Sequence, residues 1–204
     1  QQKQIAFVLG QGHSRFLRIL EEHNTTLGGP LRLVTFTDLD TALEWSENRL
    51  IAQQAVTYTA PSVPLAEHEF CRGLGSQALL YLATKLARKH FSQNEYIIRK
   101  GDAAEDIYLL MSGQVSVVVD LPDGRRRRLS TLTAGMTFGE LAIVYRAARS
   151  ADVRADTQVE CSVLSAAAFH RLGETHPEIH IALLQNMLRG AYQMVSRLNQ
   201  EVTT

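Results

Sequence analysis

The chain has 204 residues, 45% of them hydrophobic, with Lys+Arg and Asp+Glu both at 21 and a formal net charge of zero. That is enough apolar sequence for one or two domains with a proper core, and it excludes a peptide hormone or a disordered tail. Balanced charge also excludes a global field that would draw in nucleic acid or an anionic membrane, so any anion site has to be local.

Cys71 and Cys161 are isolated thiols, which fits a reducing compartment better than a disulfide framework. No stretch approaches the roughly 18 consecutive apolar residues of a membrane span. The start Gln1-Gln2-Lys3-Gln4 lacks the apolar run of a secretion signal, so a cytoplasmic location is expected. Ile5 to Leu9 reads as a buried strand with almost nothing before it, as in a fragment of something longer.

After that strand, Gly10-Gln11-Gly12 makes a turn, and Phe16, Leu17, Ile19 and Leu20 recur at helical spacing until Thr25 to Pro30 breaks the pattern. Leu31 to Phe36 predicts a second strand. Asp38-Leu39-Asp40 then caps a helix through Ala42, Leu43, Trp45, Leu50 and Ile51. The order β-α-β-α implies an open sheet with helices packed on it. The run Phe36 to Leu50 resembles the closing helix of the STAS domain, found in the tails of sulfate-permease-type anion transporters and in anti-sigma-factor antagonists. That resemblance makes residues 1–56 the C-terminal half of a STAS-like domain, with no phosphorylation site assigned.

Thr57 to Pro64, with two prolines among small polar residues, reads as a linker at 57–64. From Ser76, a plausible cap, Ala78, Leu79, Leu80, Leu82 and Leu86 keep a helical period. The period then changes to short β-branched runs at Tyr96 to Ile98, Ile107 to Met111, Val115 to Val119, Arg128 to Leu132, Val153 to Ala155 and Val159 to Leu164. Such runs, divided by Gly, Asp and Pro turns, predict a sandwich or barrel. Leu121-Pro122-Asp123-Gly124 is a hairpin tip, and Arg125 to Arg128 beside it reads as a solvated edge rather than a nucleic-acid patch.

The stretch Phe138 to Val153 sets charged groups among small and apolar residues. Gly139 lets a ligand approach the main chain, the following amides can face an anion, and Glu140 is an acceptor beside them. Nine residues on, Arg149 offers a planar fork suited to phosphate, with the Ser150 hydroxyl next to it.

At these residues the chain resembles the phosphate-binding cassette of the cyclic nucleotide-binding domain family, F-G-E-L-A, a spacer, then R-[AST]-A. The resemblance covers about residues 65–204. It implies an α+β fold, a jelly-roll β-barrel with flanking helices and a C-terminal lid helix, and cyclic AMP or cyclic GMP as the ligand. It further implies that Glu140 holds the ribose, that Arg149 pairs with the cyclic phosphate, and that Gly139, Glu140, Leu141 and Ala142 supply amides. Ser150 and Ala151 follow the arginine, and Val117 and Leu129 align with pocket-wall positions, with Ser130 a polar neighbour. Ala148 stands where the family often has Pro, and Asp152 where it has Thr or another small residue. That carboxylate either weakens the cradle or lies outside it on a strand.

Pro177 to Val202 carries Ile179, Leu183, Met187, Ala191, Met194 and Leu198 in nearly a heptad stripe, which fits packing on the barrel, a lid over the base, or a homodimer seam. Arg189, Tyr192, Gln193 and Ser196 are candidates to touch the base. No nucleophile-and-base set stands out, and His176 with His180 lack a third metal ligand, so neither an enzyme nor a metal site nor a further cofactor is expected. The expected function is a nucleotide-binding regulatory module on the cytosolic side of a STAS-containing transporter at the inner membrane. The alternatives are an empty interaction scaffold or the regulatory tail of a soluble enzyme such as a glutaminase.

Overall fold

The computed structural model describes residues 6–10, 32–36, 42–43, 45–46, 62–122, 124 and 126–202. Two compact units divide the chain, 1–59 and 60–204. In the first, β1 (Ala6–Gly10) and β2 (Arg32–Phe36) pair in parallel, with Val8 opposite Val34. A parallel pair needs a crossover connection, which agrees with the β-α-β order. Residues 42, 43, 45 and 46 are helical, and the Trp45 ring lies 5.8 Å from that of Phe36. The helix expected at Phe16 to Leu20, the continuation to Ile51 and most of the STAS-like stretch lie outside the described residues.

The second unit is a sandwich of two four-stranded antiparallel sheets. One runs β3 (Leu86–Phe91), β10 (Val159–Ser165), β5 (Asp106–Ser112), β8 (Thr137–Phe138); the other runs β4 (Tyr96–Ile98), β9 (Asp152–Ala155), β6 (Gln114–Asp120), β7 (Arg126–Thr133). All six strand runs legible in the sequence fall within these strands. Inward residues of both sheets form one core, with Ile98, Leu110, Val115, Phe138, Val153 and Cys161 buried together, as alternation across a pleat requires. β7 is an edge strand, and its exposed Arg126 pairs with Asp120 at 3.0 Å.

Four helices flank the sandwich: α1 (Ser76–Ala83), α2 (Glu140–Val144), α3 (Ala166–Thr175) and α4 (Pro177–Val202). Two corrections arise here. The α1 helix is capped at Gly75, with Ser76 its first residue, and it ends at Ala83, so Leu86 opens a strand instead of closing the helix. The β3 segment escaped notice because its four central residues are exposed and three of them are Arg88, Lys89 and His90. α3 is capped by Ser165, the last residue of β10, whose hydroxyl accepts from the Ala168 amide at 3.2 Å.

A second core lies beneath the helices, where Leu183, Ile179 and Met187 of α4 pack with Phe70, Leu82, Leu109, Phe169 and Leu172. His68, fully buried, accepts the Phe70 amide on Nδ1. Burial pushes its pKa down to about 4, with the Met136 and Leu110 carbonyls pulling the other way. Asn186 fastens α4 to the same segment: its Nδ2 donates to the carbonyls of Phe70 and Arg72, each at 2.9 Å, and its Oδ1 accepts from Arg189 at 2.9 Å. Asn186→Ala strands two carbonyls and should destabilise the second unit by about 2 kcal/mol. Urea unfolding should show the loss, with hydrogen exchange rising in α4 ahead of β5 and β10.

Candidate functional site

A cavity of about 240 Å³ opens between β7, α2 and α4. Leu129 to Leu132 form one wall, Glu140 and Leu141 a second, and Met187, Gly190, Ala191, Gln193 and Met194 of α4 the roof; Glu69, Phe70 and Asn186 close the end. β7 presents Leu129 there through a bulge. Val117 pairs with Ser130 and Val118 with Arg128, so Leu129 is the extra residue, and a bulge re-aims a side chain in this way. Val117, the other expected wall residue, packs on the sandwich core instead of lining the cavity.

The corner from β8 into α2 is built around Gly139. Its φ is +81°, and a Cβ would stand 2.8 Å from Arg149 Nη1, 3.1 Å from Ile98 Cδ1 and 3.3 Å from the Asp106 carbonyl. Only glycine meets both the left-handed backbone and the lack of space. Arg149, 6% exposed, reaches under this corner. Its Nη1 donates to the Gly139 carbonyl at 2.6 Å and its Nη2 to the Asp106 carbonyl at 2.7 Å, with the guanidinium 6.0 Å from the Tyr108 ring. The main chain at Arg149 is fixed too, its amide donating to Asp102 and its carbonyl accepting from Gly101.

Glu140 and Arg149 therefore meet at one corner, but on different sides of it. Glu140, Leu141 and Leu129 line the cavity; Gly139, Ala142, Arg149, Ser150 and Ala151 are not among its lining residues, and Ser150 is exposed. Among the candidate base contacts Gln193 lines the roof, Arg189 is engaged with Asn186, and Tyr192 is 71% exposed. Asp152 is on β9, outside the cavity, where its carboxylate accepts the Lys100 amide at 2.7 Å and lies 3.5 Å from Arg99. Of the two histidines weighed as metal ligands, His176 stacks on Tyr81 at 3.8 Å and His180 packs on Phe169 at 4.5 Å.

Sequence reasoning missed Glu69. It lines the same cavity and accepts the Thr137 amide at 2.9 Å, and nothing in its local sequence marks it. Its charge matters, because the Glu140 carboxyl is raised to about 7, chiefly by desolvation and further by Glu69, with its own backbone amide and then Arg149 opposing. Cys71 and Cys161 are buried free thiols pushed up to about 12 by desolvation, and are inert as nucleophiles.

Residues 88–176 match the family described as Cyclic nucleotide-binding domain. Glutaminase 2 of Bradyrhizobium diazoefficiens is 35% identical over 161 residues, 78% of this chain and 25% of that protein. The cAMP-dependent protein kinase type II regulatory subunit of Drosophila melanogaster is 37% identical over 102 residues, 50% of this chain and 27% of that one. Among solved structures, the regulatory subunit of a cAMP-independent protein kinase A from Trypanosoma brucei superposes with a TM-score of 0.57 at 28% identity, over 69% of this chain and 49% of that one. Residues 88–176 thus carry the match to the cyclic nucleotide-binding domain family, and the sandwich with its flanking helices has the fold of such a domain. The chain spans about a quarter of the length of the two Bradyrhizobium glutaminases it matches.

The half-buried acid and the buried imidazole act on stability with opposite signs. Folded Glu140 keeps a proton up to about pH 7 that the unfolded chain releases near 4.5, so its contribution is lost as pH rises through that window. His68 refuses, down to about pH 4, a proton that the unfolded chain takes up near 6.5, so its contribution is lost as pH falls. The two slopes overlap and offset in the native protein. Glu140→Gln removes one of them: relative to the parent, the variant should gain up to about 3 kcal/mol between pH 4.5 and pH 7. Urea unfolding of both proteins across that range checks it, and a flat difference would mean the carboxyl is not desolvated.

Proposed function

We propose that residues 65–204 form a regulatory module that captures a cyclic nucleotide, cyclic AMP or cyclic GMP, at the corner shared by Glu140 and Arg149, with α4 as the lid. The observation that carries the reading is the desolvated Glu140 carboxyl facing a largely apolar cavity, nine residues of chain from a buried, fixed guanidinium. A fold that needed only its shape would replace such an acid with an apolar residue. In this reading Glu140 accepts the ribose hydroxyl, and Leu129 and Leu141 contact the apolar faces of the nucleotide. Arg149 pairs with the ring phosphate beside the amides of Gly139 to Ala142, flanked by Ser150 and Ala151. Its two carbonyl bonds use two of five N–H donors, so the fork engages a phosphate as a charge already held in place.

The ligand acts through α4. Met187, Ala191 and Met194 roof the cavity while Asn186 ties the same helix to Phe70 and Arg72. A nucleotide that binds one helix position better than another shifts the population of that helix by the difference in affinity, and by no more. The kinase relative is described as cAMP-independent, and the base preference here is accordingly part of the test.

The module is one part of a longer protein. A sulfate-permease-type transporter with a STAS domain is one setting. The 35% identity to two Bradyrhizobium glutaminases over 73% to 78% of this chain favours the second, a soluble glutaminase-type enzyme. Repeated apolar spans in the upstream gene sequence would identify the transporter and their absence the enzyme.

Equilibrium dialysis with labelled cyclic AMP and cyclic GMP should show retention of at least one, and retention of neither would leave a partner-binding scaffold. Arg149→Leu should weaken binding by about 2 to 5 kcal/mol, measured by calorimetry, and unchanged affinity would overturn the cradle. Because the same substitution strands the Gly139 and Asp106 carbonyls, circular dichroism has to verify that the variant is folded at the temperature used.

A further inference from the structure

We infer that the cavity selects cyclic GMP over cyclic AMP, and that Glu69, from the segment ahead of the sandwich, makes the choice by accepting the paired N–H groups of the guanine edge. The inference rests on the nucleotide reading above and adds the base to it.

The charge of the cavity is the opposite of what a phosphate needs. Two carboxyls, Glu69 and Glu140, line it, and no Lys, Arg or His is among its described lining residues. Arg72 and Arg189 share with Glu69 a smaller, separate hollow. Such a lining gives an anion nothing to pair with, so the ring phosphate stays at the Arg149 corner and the neutral part of the ligand enters. At about 240 Å³, the space is below the roughly 300 Å³ that encloses a complete small ligand. It suits a base with part of its sugar. Glu140 is engaged by the ribose, which leaves Glu69 for the base.

Glu69 is held in place for this. Its amide donates to the Gly135 carbonyl at 3.2 Å, and its neighbours His68 and Phe70 are buried. One carboxylate oxygen, Oε1, accepts the Thr137 amide at 2.9 Å. A carboxylate offers about four lone-pair sites, so this bond orients the group and leaves Oε2 and part of Oε1 for a ligand.

Two hydroxyls complete the pattern. Thr137 Oγ1 and Ser130 Oγ belong to cavity-lining residues and are buried, with no hydrogen-bond partner among the described residues. A buried hydroxyl left unpaired costs stability, and a ligand acceptor would satisfy either one. Thr137 also supplies the amide that holds Glu69, so a donor hydroxyl and an acceptor carboxylate stand on neighbouring groups.

Guanine presents O6, N1–H and N2–H₂ in a row, one acceptor followed by two donors. The carboxylate takes both donors and a hydroxyl gives to O6. Adenine presents N6–H₂ and then the bare N1 lone pair. Against it the same carboxylate gains one bond and meets one repulsion, and that unfavourable contact is what discrimination needs. A site built to pair polar groups rejects the analogue lacking them far more strongly than apolar contact can.

Calorimetry on the whole chain with cyclic GMP, cyclic IMP and cyclic AMP tests the assignment. The parent should bind cyclic GMP about 30-fold more tightly than cyclic AMP. Cyclic IMP, which keeps O6 and N1–H but lacks the N2 amino group, should fall between them. Glu69→Gln retains an oxygen for the Thr137 amide while losing the charge and one acceptor; it should weaken cyclic GMP by about 30-fold and leave cyclic AMP no weaker. Thr137→Val keeps the backbone bond and should weaken cyclic GMP and cyclic IMP alike by about 5-fold, a check that holds even where Glu69→Gln does not fold. A parent that prefers cyclic AMP, a Glu69→Gln protein that loses both nucleotides equally, as a merely structural carboxylate would, or unchanged cyclic GMP affinity in either variant overturns the base assignment and leaves nucleotide capture standing. Binding of none of the three by the parent removes the nucleotide reading and the base assignment with it.

Discussion

The second unit turns on the Arg149 guanidinium and the two carbonyls it holds. Asp106 opens β5, Gly139 opens α2, and Arg149 comes from the loop ahead of β9. Three segments, two of them ten residues apart and the third 43 residues from the arginine, are thus pinned by a group whose planar fork reaches two acceptors in fixed directions. Gly139 has to be glycine because the guanidinium occupies the space a Cβ would take. The local backbone, the loop position and the side-chain burial are consequences of one contact. Moving any of them leaves a buried cation with fewer acceptors, and that penalty is what keeps the corner rigid.

That rigidity explains how Glu140 is tolerated. A carboxyl raised to about 7 by desolvation is unfavourable in the ionised state, and the nearby positive charge of Arg149 only partly offsets it. Glu69 worsens the balance. An arrangement that lowers stability and serves no packing purpose is characteristic of a site kept for function. One corner thus holds both the arginine that stabilises the frame and the glutamate that draws on that stability.

Much of this was legible before any coordinates. The strands were visible as β-branched runs between turns, and the Phe138-Gly139-Glu140-Leu141-Ala142 motif with Arg149 located the corner. What failed did so for physical reasons. β3 has an exposed, charged middle, and Leu79, Leu82 and Leu86 mimic a helical period across the real boundary at Thr84. The division of the wall between Leu129 and Val117 depends on a bulge, and a one-residue shift in register leaves no trace in composition. Glu69 is brought to the cavity by the packing of the segment around Phe70 and His68, contacts that join residues about seventy positions apart. In the first unit, the parallel pairing of β1 with β2 follows from the β-α-β order.

α4 is where the separate parts of the second unit meet. Its inner face fills the core with Leu183, its flank roofs the cavity with Met187 and Met194, and Asn186 binds it to the segment that follows Pro64. Those three sets of contacts sit within about three turns of one helix, which is stiff along its axis over that distance. A shift forced at the roof cannot be absorbed locally without disturbing the Asn186 bonds, because close-packed interiors transmit displacement instead of diluting it. The direction of coupling follows from the relative strengths. Two neutral hydrogen bonds to carbonyls are worth about 1 kcal/mol each, less than the several kcal/mol that burying Leu183 and Ile179 contributes. The Asn186 contact is therefore the weaker of the two attachments of α4, and it adjoins Phe70 and Arg72 in the segment that follows Pro64.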